Sequence, residues 1–196
     1  MRTWSRKNSL GGVKIRSEMD AREASVLRSL VSSVLSLLED RAAAAPQDDL
    51  AELTGLRTGN SDAPTDAALA RLLPDFYRSD VDRDVAGTGQ NSAQGANINA
   101  ALRSLHEPEI IDAKLAAGSV ILQTVPAEGG RVSLTPEQAD AWLAGLNDVR
   151  LALGTTIGID ADTPDELEPD DPRAPHLDVY HWLTWMQDSL VQVLVP

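Results

Sequence analysis

Apolar and polar positions recur along this chain with two periods, and each predicts its own kind of element. Residues 1–16 alternate weakly. Val13 and Ile15 are interleaved with Lys14 and Arg16, Trp4 lies upstream, and Asn8-Ser9-Leu10-Gly11-Gly12 carries turn residues. That pattern predicts a β-hairpin. Arg131–Leu134 alternates as well, Val132 and Leu134 against Arg131 and Ser133, and predicts a third strand. An isolated hairpin is marginal in water, so it needs that strand or a helix to cover it.

The remaining periodicity is helical. Asp20, with Glu23 three residues on, predicts a capped helix start, and Leu27, Leu30, Val31, Val34 and Leu38 form its apolar stripe up to Pro46. Short helical pieces are expected at Asp48–Leu53 and Thr65–Leu73. Residues 78–96, rich in Gly, Asp, Asn and Ser, predict a flexible loop. From Asn97 a stripe of Ile98, Leu102 and Leu105 predicts a helix. Pro108 suits the first turn of a second helix, one apolar on most sides that runs to Pro126. Thr135-Pro136-Glu137-Gln138 predicts a strong helix start, with Trp142, Leu146, Val149 and Leu153 facing inward as far as Ile157. An acidic loop covers about 158–175. A last helix then opens near Pro172 or Pro175 on a stripe of Val179, Leu183, Met186, Leu190 and Leu194. The expected fold is mainly α with a small antiparallel β-sheet (α+β). It is a helical bundle of about four main helices with a roughly three-stranded sheet, in a single domain spanning 1–196.

Charge narrows the function classes. The formal net charge is −13, which argues against direct nucleic-acid binding, because that needs a basic surface. Yet Arg2, Arg6, Lys7, Lys14 and Arg16 occupy the first sixteen residues without one acid. They read either as a contact surface for an acidic partner or a phosphate backbone, or as a solvated sheet face balancing the acidic loop. The chain has no cysteine, which excludes disulfides and thiolate metal sites within it. Neither a signal peptide nor an apolar run of membrane-span length is visible, so a soluble cytoplasmic protein is expected.

Two His/carboxylate groups are candidate sites. His106, Glu107, Glu109 and Asp112 could supply metal ligands. The competing reading places Glu107 and Glu109 at a helix start, where negative charge meets the positive dipole end, and sets Arg103 four residues before Glu107 at salt-bridge spacing. His176, Asp178, Tyr180 and His181 open the last helix, with His181 near enough to Asp178 to pair. His176 could also meet His106 in space. Asn147, Asp148 and Arg150 adjoin an inward stripe, and Asp112 or Asp178 is the expected partner of Arg150. Trp182 and Trp185 beside the last stripe could form a partner surface. No nucleotide-binding loop, nucleophile elbow or zinc-protease motif is present, and neither enzymatic activity nor a cofactor is expected.

Three stretches resemble the actinomycete oxidative-stress regulator family. They are Arg71–Arg78 (RLLPDFYR), Ala100–Lys114, and Asn147–Thr155 (NDVRLALGT) taken with His176–Tyr180 and Trp182-Leu183; Thr54-Gly55 and Thr58-Gly59 also fit. Within these stretches His106, Glu107, Pro108, Glu109, Asp112, Asn147, Arg150, His176, Asp178 and Tyr180 carry the motif. The resemblance covers nearly the whole chain. It implies a cytoplasmic regulator that works by protein–protein contact, binding a stress-type sigma factor or RNA polymerase and promoting cysteine-synthesis genes. The same resemblance implies a switch made of a cysteine pair, which a chain without cysteine does not possess. Two alternatives stand beside it: a metal-dependent enzyme on the His/carboxylate groups, and an oligomeric adaptor. Oxidation of Met19 or Met186 would be a substitute redox chemistry.

Overall fold

The computed structural model describes residues 1–9, 12–46, 57–77, 89–168 and 170–195. Three strands come first to view: β1 (Ser5–Ser9), β2 (Gly12–Met19) and β3 (Gly130–Leu134) form one antiparallel sheet in the order β1-β2-β3. Five helices are seen among the described residues: α1 (Ala21–Ala43), α2 (Ala67–Leu72), α3 (Gly89–Thr124), α4 (Pro136–Thr156) and α5 (Ala174–Leu194). The fold is thus mainly helical α+β, with four substantial helices and a three-stranded sheet. Its residues group into two compact units, Met1–Ser36 with Lys114–Pro196, and Leu37–Ala113; α1 and α3 contribute to both.

In the first unit the period-two pattern decides the sheet. Ile15 pairs with Leu134, Ser17 with Val132 and Met19 with Gly130, which puts their buried side chains on the core side. α4 packs against α5 and against this sheet. Its start is the predicted capping box: Thr135 Oγ1 accepts from the Gln138 amide and Gln138 Oε1 from the Thr135 amide. Asp20 and Glu23 make the equivalent reciprocal pair at α1. Trp142 is fully buried, donates from Nε1 to Thr124 Oγ1 at 2.8 Å and meets Trp4 edge-on at 5.3 Å. Two glycines sit where neighbouring helices leave no room for a side chain. A Cβ on Gly118 would lie 2.6 Å from Leu35, and one on Gly145 would lie 2.6 Å from Ile121. The open C-terminal carbonyls of α3 are met by Arg28, which donates to Leu122 O and Val125 O.

The second unit departs from the sequence expectation at Pro108. α3 does not break there; Pro108 lies inside one helix of 36 residues. An interior proline removes one helical N–H and leaves the carbonyl four residues back without its donor. Here that carbonyl belongs to Ser104, and the Gly59 amide donates to it at 2.7 Å. Gly59 also leaves room for the ring, since a Cβ there would sit 2.9 Å from Pro108 Cγ and Cδ. A neighbouring strand of chain therefore supplies the hydrogen bond that proline takes away. The expected loop over 78–96 is corrected in part as well: residues 89–96 are the first turns of α3, and residues 78–88 lie outside the described residues.

The proposed stripe of Ile98, Leu102 and Leu105 is not the buried face of α3. Ile98 and Leu105 are exposed, while Arg103 and Glu107 are buried beside Ile111. The expected helix at Asp48–Leu53 falls outside the described residues, and that at Thr65–Leu73 is α2, capped by Asp66, which accepts from the Leu69 amide. No helix among the described residues is long and apolar enough to cross a membrane.

Candidate functional site

The first cluster lies in the second unit and is built on one buried carboxylate. Glu107 is 1% exposed. Arg41, near the end of α1, donates from Nε to Glu107 Oε1 at 2.7 Å and from Nη2 to Oε2 at 3.2 Å. Arg103, one turn earlier on α3, donates from Nη1 to Glu107 Oε2 at 2.8 Å. Arg103 is itself 2% exposed, and spends its remaining donors on Leu73 O at 3.0 Å and Asp75 Oδ1 at 2.8 Å. Arg41 Nη2 reaches Asp62 O, and Asn60 Nδ2 returns a bond to Arg41 O. Two guanidiniums thus satisfy one carboxylate, their spare donors hold Asp62, Leu73 and Asp75, and Asn60 is held by its own bond to the Arg41 carbonyl. Burying charge is costly unless every group is paired, so such a network specifies geometry more than it adds stability.

This arrangement corrects the reading of Glu107 and Glu109 as helix-start acids. Both sit mid-helix; Glu107 is clamped by arginines and Glu109 is exposed. His106 is also exposed, with its ring 6.0 Å from that of Phe76. Asp112 pairs with Arg57 on the surface, and Arg57 Nη2 also donates to Pro108 O at 3.3 Å. Beside these residues lies a cavity of about 230 Å³, lined among others by Arg57, Asn60, Glu107, Pro108 and Asp112. Arg41 and Arg57 escape sequence reasoning. Neither belongs to a local motif, and their partners lie 66 and 55 residues away.

A second cluster belongs to the first unit. Asp148 on α4 is buried and accepts from Lys114 Nζ at 2.6 Å. Burial pushes its carboxyl above the usual range, and the Lys114 ammonium offsets part of that rise. Arg150 does not pair with Asp112 or Asp178. Its Nη2 reaches Asn147 Oδ1 at 3.5 Å and its guanidinium stands 6.0 Å from the centroid of the Tyr180 ring, at the outer limit of a cation–π contact. Tyr180 in turn packs on Gly154, where a Cβ would fall 3.1 Å from the ring. Asn147, Arg150 and Tyr180 are therefore one contact group joining α4 to α5.

At the start of α5, His176, Asp178 and His181 are exposed, and no hydrogen bond joins Asp178 to His181 among the described residues. Asp178 and His181 line a cavity of about 690 Å³ with Asp165 and Glu166. His106 belongs to one compact unit and His176 to the other. Among the described residues no group of three or more His, Asp or Glu side chains is placed to hold a metal ion. Trp182 is half-buried beside a cavity of about 390 Å³, and Trp185 is exposed.

The basic residues of the first strands divide between two faces. Opposed pairs share a face, so Lys7 and Lys14 stand together, as do Ser5, Arg16 and Ser133, and Glu18 and Arg131. This is the outer face, because Ile15, Val132 and Leu134 point the other way into the core. Arg6, opposite Ile15, lies on the core side of the edge strand. Arg2 joins the outer face through its ion pair with Glu18 at 3.2 Å. The sequence reading of these residues as one group thus gains Arg131 and loses Arg6.

Comparison with known proteins places the chain. The family described as a domain of unknown function (DUF2017) matches residues 1–194. A relative from Mycobacterium tuberculosis (strain ATCC 25618 / H37Rv), named oxidative stress regulator AosR, is 46% identical over 195 residues, covering 100% of this chain and 88% of the relative. The protein of the same name from Mycobacterium bovis gives the same figures, 46% over 195 residues. A relative from Mycobacterium leprae is 43% identical over 195 residues, covering 100% of this chain and 89% of its own. No solved structure matches the chain. With the family matched from end to end and near-half identity along the whole chain, this protein belongs to the DUF2017 family, together with the mycobacterial proteins named oxidative stress regulator AosR.

Proposed function

We propose that this protein is a cytoplasmic, non-catalytic regulator of the oxidative-stress response that works by contact with another protein. The observation that carries this reading is its 46% identity, over its full length, to relatives named oxidative stress regulators. The partner we propose is a stress-type sigma factor or RNA polymerase, with cysteine-synthesis genes as the downstream target. What the residues add is consistent with recognition. The buried charges are spent on holding backbone in place, and the exposed charges are segregated by face.

The chain holds no cysteine, and Met19 and Met186 are buried at 2% and 0% exposure. Peroxide therefore finds no thiol here and no accessible thioether at these two of the three methionines, since sulfur oxidation follows exposure. In this reading the protein binds its partner constitutively, and sensitivity to oxidant resides in the partner. The test is affinity capture from the native cytoplasm, with and without peroxide pretreatment of the bait, read by mass spectrometry. Equal enrichment of a sigma factor or polymerase subunit by both baits is the expected result. Recovery of neither by folded bait would overturn the regulatory reading. Loss of binding after treating the bait alone would overturn its constitutive character.

A further inference from the structure

We infer that the outer face of the sheet is a docking surface for an acidic segment of a partner protein. The inference rests on the reading of this chain as a regulator acting by protein contact and names the surface it uses. Arg2, Lys7, Lys14, Arg16 and Arg131 share that face with a single acid among its strand residues, Glu18. Five of these six, all but Lys14, line a concave surface of about 300 Å³. Residues from three separate pieces of chain converge here, so the strand register assembles the patch rather than sequence proximity.

This concentration of cations stands on a chain of net charge −13. The long-range field of such a molecule repels polyanions, while at about 0.15 M salt each charge is felt over only about 8 Å. A basic face on an acidic protein therefore acts at close range, on a short cluster of carboxylates. Glu18 points to the same occupant. It lies inside the patch, bonded to Arg2 at 3.2 Å and opposite Arg131, where a continuous phosphate backbone would meet a like charge. A peptide with spaced acids can set its carboxylates on either side of it. Charge complementarity of this kind sets partner choice and association rate more than raw affinity.

The test uses the full-length protein and a fluorescein-labelled peptide of alternating Asp and Val, read by anisotropy. Duplex DNA and the matching Lys/Val peptide serve as competing probes. The expected result is binding of the acidic peptide that weakens about tenfold between roughly 50 mM and 300 mM salt, with no binding of the Lys/Val peptide. Lys7→Glu with Arg131→Glu abolishes it, and the milder Lys7→Gln with Arg131→Gln weakens it. Arg6→Glu, the same change of charge on the opposite face, leaves it within about twofold. Circular dichroism confirms that each variant is folded. Equal loss in Arg6→Glu would reduce the effect to net charge and overturn the proposal. Tighter binding of DNA than of the acidic peptide would overturn it in favour of a phosphate site. If the Lys7/Arg131 charge reversals still recovered the same partner from cytoplasm, the surface would be dismissed while the regulatory reading stood.

Discussion

Gly59 and Pro108 are two parts of one device at the scale of single residues. The proline leaves the Ser104 carbonyl without its helical donor, and the Gly59 amide replaces it only because no side chain keeps the two backbones apart. Gly59→Ala forces a Cβ against a rigid ring at 2.9 Å. We expect it to destabilise the protein by about 1–3 kcal/mol, as overpacking does, read from urea unfolding midpoints. A change within about 0.5 kcal/mol would mean that the contact is loose. Asp148 yields a prediction with a defined sign. Burial raises its folded pKa above the unfolded value of about 3.9, despite Lys114. The folded state thus holds this proton to higher pH than the unfolded chain does. Its stabilising contribution is complete below the unfolded pKa and is lost as pH rises through the folded one. The stability of wild type relative to Asp148→Asn should therefore fall as pH rises above the unfolded value of about 3.9. A constant difference across urea titrations would show that burial does not dominate at this carboxyl. The Arg103–Glu107 pair was legible from its spacing of four, but its burial was not. The second arginine arrives from another helix, 66 residues away.

At the scale of elements, local signals were read where the partners are local. Both reciprocal caps, Asp20 with Glu23 and Thr135 with Gln138, lie within one turn and form as the sequence predicts. Thr135→Ala removes one of them and should cost about 1 kcal/mol, seen as a lower midpoint in urea with an unchanged slope. A steeper or shallower slope would mean that the substitution altered more than the cap. The helix break read at Pro108 did not occur, because the donor that compensates for proline comes from outside the helix. The exposed Ile98 and Leu105 make the same point: a helical stripe fixes a face, but not which face the neighbours cover.

For the whole molecule, the organising facts are a segregated charge distribution and two of three methionines held in the core. Met19 on β2 and Met186 on α5 are both core residues. Peroxide treatment of folded protein should leave both as thioethers by peptide mass mapping, while treatment in denaturant converts both to sulfoxides. Rapid oxidation of either in the folded protein would remove the argument for constitutive binding. The charge pattern was visible along the chain as a basic start and an acidic loop at 158–171. Its division into faces was not, because Arg131 joins the patch from β3 and Arg6 leaves it through strand alternation.

The three strands, the capped helix starts at Asp20 and Thr135 and the kinship to a regulator family were determined by the sequence alone. Each rests on side-chain periodicity, on contacts within a turn, or on likeness along the chain. Tertiary structure decided the continuity of α3 through Pro108, the arginine clamp on Glu107, the company of Arg150 and the membership of the basic face. All four depend on hydrogen bonds or strand register between residues far apart in sequence. A carbonyl, a carboxylate or a cation carries no mark along the chain of which distant segment will meet it, and only folding supplies the partner.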